Sequence, residues 1–109
     1  MKKVMVLAPE MLCGRLRDAL GHKQTILPCS DPGAAGKLLL SEPDVLILSL
    51  ALTGTDGLTF LKENASFLPP KVIALTCFFD NALLAELAGL GVSHVIRIPC
   101  RLSYLEQKL

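Results

Sequence analysis

The chain has no apolar run long enough to cross a membrane, no C-x-x-C pair and no basic cluster, and each absence closes a class of function. A spanning helix needs roughly 18 or more consecutive apolar residues, whereas the longest run here, Val45 to Leu52, is interrupted by Ser49. Met1-Lys2-Lys3 is followed only by the short apolar stretch Val4 to Ala8, with no signal-peptide core or cleavage site. A cytoplasmic location with no membrane partner is therefore expected. Nucleic-acid binding wants a basic patch or stripe. Beyond Lys2-Lys3 and the Arg15/Arg17 pair none exists, and the net charge is +1, so direct contact with nucleic acid is not expected. The four cysteines, Cys13, Cys29, Cys77 and Cys100, and the two histidines, His22 and His94, stand at no metal-ligand spacing. Buried free thiols are the ordinary reading, and neither a metal nor a cofactor is expected.

What is present is apolar and alternating. Of the 109 residues 51% are hydrophobic and 19% charged. That length fits one domain, residues 1–109, large enough to bury a core, and that balance suits strands covered on both faces. Val4 to Ala8 is the first strand. Glu10 to Leu20 follows as a helix with Leu12, Leu16, Ala19 and Leu20 on one face, stopped by Gly21. Thr25-Ile26-Leu27 makes a short second strand closed by Pro28. Asp31 caps a second helix with Pro32 at its first position and Ala35, Leu38 and Leu39 inward. Pro43 ends that segment, and Asp44 to Ser49 reads as a central parallel strand.

The loop Thr53-Gly54-Thr55-Asp56-Gly57 leads to a third helix with Leu58 and Leu61 inward, Asp56 being suited to cap it. Pro69-Pro70 precedes strand Val72 to Thr76. Asp80 caps a fourth helix with Leu83, Leu87 and Leu90 inward, and Phe79 and Leu84 stand where a hydrophobic staple would clasp it. His94 to Arg97 is a fifth strand. Arg101 to Leu109 is a short last helix with Leu102, Leu105 and Leu109 inward, consistent with a small complete domain or with one excised from a longer protein. Strict strand–helix alternation implies a doubly wound parallel sheet with right-handed crossovers. Its functional crevice is expected at the C-terminal strand ends, where Ala8-Pro9-Glu10, Ser49, Thr76 and Ile98-Pro99 fall.

Three of these segments carry a resemblance. Asp44 to Leu58 resembles the phospho-acceptor segment of response-regulator receiver domains. Ala74-Leu75-Thr76 resembles their fourth strand with its hydroxyl, and Gly91 to Pro99 their fifth strand running into a lysine–proline pair. The resemblance covers nearly the whole chain in order. It implies a five-stranded sheet of flavodoxin-like receiver topology, strand order 2-1-3-4-5. It also exposes departures. Receivers carry acidic residues where this chain has Ala8 and Pro9, the acceptor aspartate where it has Ser49, the lysine where it has Ile98, and an aromatic switch residue where it has Val95; Glu10, Thr76 and Pro99 match.

Those departures bear on chemistry. Magnesium wants oxygen ligands, usually carboxylates, and phosphoryl transfer rests on positioning and charge neutralisation. Ala8 and Pro9 offer no side-chain oxygen, Ser49 has no evident base, and Ile98 brings no cation. The expectation is a pocket of degenerate acceptor residues, Ala8, Pro9, Glu10, Ser49, Thr76 and Ile98, with no catalytic residue and no enzyme activity. Ser49 is expected to bond locally, with Thr76 as its partner. The resemblance then implies a phosphorylation-independent pseudo-receiver of a signalling or transcriptional regulator, acting on a protein partner or on itself through the helix 4 to helix 5 face. Phe78, Phe79, Leu84, Tyr104 and Leu105 are the candidate contacts. By the same analogy, an output domain in a longer protein would bind DNA. The alternative is a small molecule or anion sensed in the vacated pocket, where Ala8, Pro9 and Ile98 favour an apolar ligand. Cys77 and Cys100, both past adjacent strand ends, are a further candidate pair, disfavoured as a disulfide in a reducing compartment.

Overall fold

The computed structural model describes residues 2–52, 56–78 and 80–109, with the side chain of Leu102 excepted. The elements run β1 (Lys3–Leu7), α1 (Glu10–Leu20), β2 (Thr25–Cys29), α2 (Pro32–Leu39), β3 (Val45–Ser49), α3 (Gly57–Glu63), a short 3-10 turn (Ala65–Phe67), β4 (Lys71–Thr76), α4 (Asn81–Gly89), β5 (His94–Arg97) and α5 (Leu102–Lys108). The five strands are all parallel, in the order β2-β1-β3-β4-β5. The direction of winding reverses between β1 and β3, which puts the crevice of such a sheet at their C-terminal ends.

Strand alternation divides the core into two layers. Val4, Val6, Val45, Ile47, Ile73, Leu75 and Ile96 face α1 and α5, where Cys13, Leu16, Leu20, Leu105 and Leu109 meet them. Met5, Leu7, Leu46, Leu48, Val72 and Ala74 face the other way, against Ala35, Leu39, Phe60, Leu61 and Leu87 of α2, α3 and α4. Every residue of β3 is buried, so its unbroken apolar run reflects burial on two sides.

The capping aspartates are where the sequence puts them. Asp31 accepts from Gly33 N at 2.9 Å, Asp56 from Thr59 N at 2.7 Å and Asp80 from Leu83 N at 2.9 Å. Each satisfies a backbone donor that the first helical turn leaves free. At the far end of α5, Lys2 Nζ donates to Leu109 O and Lys71 Nζ to Lys108 O at 2.9 Å, placing cations where the helix macrodipole favours them.

Three expectations are corrected. β2 does not close before Pro28 but continues to Cys29. Thr25 N donates to Lys2 O and Cys29 O accepts from Ala8 N, so the alternate positions bond β1. Pro28 therefore faces the open edge, where its missing N–H costs no ladder bond. Leu105, a candidate partner contact, is 1% exposed; it packs in the α1–α5 layer and is removed from that face. β1 begins one residue earlier than expected, at Lys3. The staple expected of Phe79 and the loop 53–55 lie outside the described residues.

Candidate functional site

Parallel register assembles the site from four strand ends. Leu7 pairs with Leu48, Ser49 with Leu75 and Thr76 with Arg97. Beyond the strands, Leu50 N donates to Leu75 O at 3.0 Å and Ile98 N to Thr76 O at 2.9 Å. Ala8, Ser49, Thr76 and Ile98 thus form a staggered row across β1, β3, β4 and β5 at the C-terminal rim. Pro9 and Glu10 start α1 beside it, both exposed. The resemblance placed these six positions together, and the fold does bring them to one edge.

Their side chains offer little chemistry there. Ala8 is fully buried and has no polar atom. Ser49 is 3% exposed, and its Oγ donates to Ala51 O at 3.0 Å. The Thr76 hydroxyl donates to Phe78 O at 2.8 Å and accepts from Phe78 N at 3.3 Å. Each hydroxyl is closed on its own turn, so the expected Ser49–Thr76 bond is not made. Alternation gives the reason: Ser49 lies on the face of Val45 and Ile47, Thr76 on that of Val72 and Ala74. Ile98 is half-buried and packs on the α1–α5 layer. The Ile98–Pro99 peptide is cis.

The start of α3 returns close to the end of β3. Gly57 N donates to Leu50 O at 2.9 Å, and Ala51 bridges Asp56. A Cβ on Gly57 would lie 2.7 Å from Ser49 O and 2.9 Å from Leu50 Cα, a close approach that only glycine permits.

Magnesium, which the resemblance implies for a working receiver, does not fit these residues. A hard cation needs several oxygens, whereas the side chains of this rim supply two hydroxyls already engaged and the single carboxylate of exposed Glu10. Asp56 is spent on its cap. Among the described residues no group of three His, Cys, Asp or Glu side chains is placed to hold a metal.

Asp56 also supplies a pH handle. The Thr59 N–H chiefly, with the Thr59 hydroxyl adding to it, holds its carboxyl below the ordinary aspartate value. A carboxyl that is more acidic folded than unfolded contributes its stability in full above the unfolded value. That contribution is lost as pH falls through the folded value. The expected result is a melting temperature that declines on acidification below about pH 4, more shallowly in Asp56→Asn, which keeps a cap acceptor without the titration. Parallel acid limbs for the two proteins would contradict this.

Beside the row lies a cavity of about 370 Å³, between α1, β4, β5 and α5. Leu12, Leu16, Leu75, Ile98, Pro99 and Leu105 give it apolar walls, and Arg15, Cys77 and Cys100 complete the lining. Both thiols are free, Cys77 exposed and Cys100 half-buried. Of the six positions expected to form the acceptor pocket only Ile98 lines it, so the space at this end of the sheet is offset from the row toward α5. The sequence reading missed Leu12 and Arg15 as site residues; their one signal was a place on α1 beside the crevice. A second cavity, of about 440 Å³, sits at the opposite end of the sheet with Glu42 and Asp44 in its lining, away from the strand C-termini.

On the outer surface Phe78 is 68% and Tyr104 47% exposed, and Leu84 is half-buried. Lys108 Nζ stands 5.1 Å from the Tyr104 ring centre, within cation–π range. Buried Cys13 donates to Ala8 O at 3.2 Å, and burial pushes its thiol up. No helix among the described residues is long and apolar enough to cross a membrane.

No protein-family model matches the chain, and no curated protein matches it. Solved structures do. A two-component response regulator from Clostridium difficile is similar at 20% identity and TM-score 0.87, over 99% of this chain and 92% of that one. The chemotaxis protein CheY4 of Vibrio cholerae is similar at 17% identity and TM-score 0.85, over 100% and 99%. The signal receiver domain of a DNA-binding response regulator from Colwellia psychrerythraea is similar at 22% identity and TM-score 0.80, over 98% and 94%. The chain has the receiver fold.

Proposed function

We propose that this chain is a signalling receiver domain of a response regulator that works without phosphorylation and acts through protein contacts, with another protein or with a second copy of itself. One observation carries the reading. The row Ala8, Ser49, Thr76, Ile98 presents no carboxylate and no cation, and its two hydroxyls are bonded to their own turns. A phosphoryl group arriving there would meet no charge compensation and no base to activate Ser49. The output side is left to the surface, where Phe78 and Tyr104 are exposed and Leu84 is half-buried. Isolated exposed apolar residues are ordinary, so the proposal concerns the aromatic pair, Phe78 after β4 and Tyr104 on α5.

The test is a beryllofluoride titration with magnesium, followed by amide NMR. The expected spectrum is unchanged at all concentrations. A saturable set of shifts around Ser49 and Thr76 would overturn the reading. The cavity lined by Ile98 favours a second reading, small-molecule sensing, at a place offset from the acceptor row rather than within it.

A further inference from the structure

We propose that the cavity between α1, β4, β5 and α5 binds a small amphipathic carboxylate. Its apolar body would lie against Leu12, Ile98 and Pro99, over a floor of buried Leu16, Leu75 and Leu105, and its anionic head would be held by Arg15. The inference rests on the sensing reading and names the class of ligand for it.

Shape and chemistry both point this way. A volume of about 370 Å³ lies at the small end of the range that ligand cavities occupy, and walls that are mostly apolar with few polar groups are the usual composition. The charged part of the lining has one sign. Among the described residues Arg15 is its only ionisable side chain besides the two thiols, and none of them brings a carboxylate to the space. Arg15 is exposed at the mouth, and among the described residues it makes no ion pair; the two pairs there are Lys23–Glu106 and Lys62–Glu86. An unengaged guanidinium at the lip of an apolar cavity matches a carboxylate in charge and in its planar donor geometry. The closed acceptor row cannot compete for the anion, because its hydroxyls already donate to Ala51 O and Phe78 O. The site also reaches the output surface through one helix: Leu105 of α5 forms a wall, while Tyr104 beside it faces solvent.

The probes are octanoate and octanol, titrated below micelle-forming concentrations into the 109-residue chain and followed by calorimetry and thermal shift. Octanoate is expected to bind saturably and to raise the melting temperature with concentration. Arg15→Gln, at an exposed position, is expected to weaken octanoate by about fivefold or more and to leave octanol unchanged. Leu12→Trp, which fills the cavity from its half-buried wall, is expected to abolish both. A readout on the unaltered chain accompanies these variants: exposed Cys77 is expected to react with a maleimide faster than buried Cys13, and octanoate to slow the cavity thiols Cys77 and Cys100 but not Cys13. Equal binding of octanoate and octanol, insensitive to Arg15→Gln, would overturn the carboxylate while leaving ligand sensing in place. No saturable binding of either probe, with Cys77 reacting at the same rate throughout, would overturn both.

Discussion

Leu105→Ala is expected to destabilise the domain by about 2–5 kcal/mol, read as a shift of the urea midpoint at unchanged slope. The side chain is 1% exposed and packs in the same layer as Leu16, Leu75 and Ile96. Truncating it removes apolar contact and leaves a void, and two features push the effect toward the upper end. Leu105 already borders the cavity of about 370 Å³, so the new space joins an existing one rather than collapsing. It is also the fully buried anchor described for α5, since Leu109 is 8% exposed and the helix is only seven residues long. A small domain has about 5–15 kcal/mol in all, so this one truncation removes a large share. A loss below about 1 kcal/mol would mean that α5 is not seated as described and that Leu105 is available to a partner after all.

The second large effect is expected from Gly57→Ala, and here two principles oppose each other. Helix propensity favours alanine over glycine by about 1 kcal/mol inside a helix, an upper bound at the first helical position that Gly57 occupies. Sterics oppose it, because the new methyl would lie 2.7 Å from Ser49 O and 2.9 Å from Leu50 Cα. Both are backbone atoms and cannot swing aside as a flexible side chain would. Forced overpacking of this kind costs about 1–3 kcal/mol, so the net change is expected to be destabilising. Gly14 is the control: it sits inside α1, and a Cβ added there would meet nothing within 4 Å, so Gly14→Ala is expected to stabilise by about 0.5–1 kcal/mol. Thermal melts of the two variants should move in opposite directions. Movement in the same direction would show that the turn after β3 is looser than described and that the rim at Ser49 can open.

These contrasts show which parts of the molecule could be read in one dimension. The bounds of α1 were legible because Leu12, Leu16, Ala19 and Leu20 repeat at helical spacing. The starts of α2, α3 and α4 were legible because Asp31, Asp56 and Asp80 each serve a backbone donor two or three residues on. β3 was legible because a strand covered on both faces is apolar throughout. Failures came where tertiary context decided. Pro28 reads as a strand breaker until β2 is known to be an edge strand with that residue's nitrogen turned outward. Leu105 fits both an inward helical face and a contact surface, and only burial separates them. Ser49 and Thr76 sit on adjacent strand ends, but a one-residue difference in register turns them to opposite faces.

The site shows the same division. The expectation of a degenerate acceptor pocket rests on resemblance, and its poverty in charge could be read directly from Ala8, Pro9, Ser49 and Ile98. The cavity could not be read, since its lining comes from α1, the end of β4, the segment after β5 and α5 and is joined only when α5 packs across the sheet. The constraint on Gly57 was equally hidden, because it depends on how closely α3 returns to Ser49.

We propose that this receiver fold has no means of accepting a phosphoryl group. The most direct test is intact-mass spectrometry after incubation with acetyl phosphate and magnesium, with a parallel sample in chelator. The account predicts one unmodified mass in both samples. A magnesium-dependent gain of one phosphoryl group, mapped to Ser49 or to a carboxylate at that rim, would contradict it.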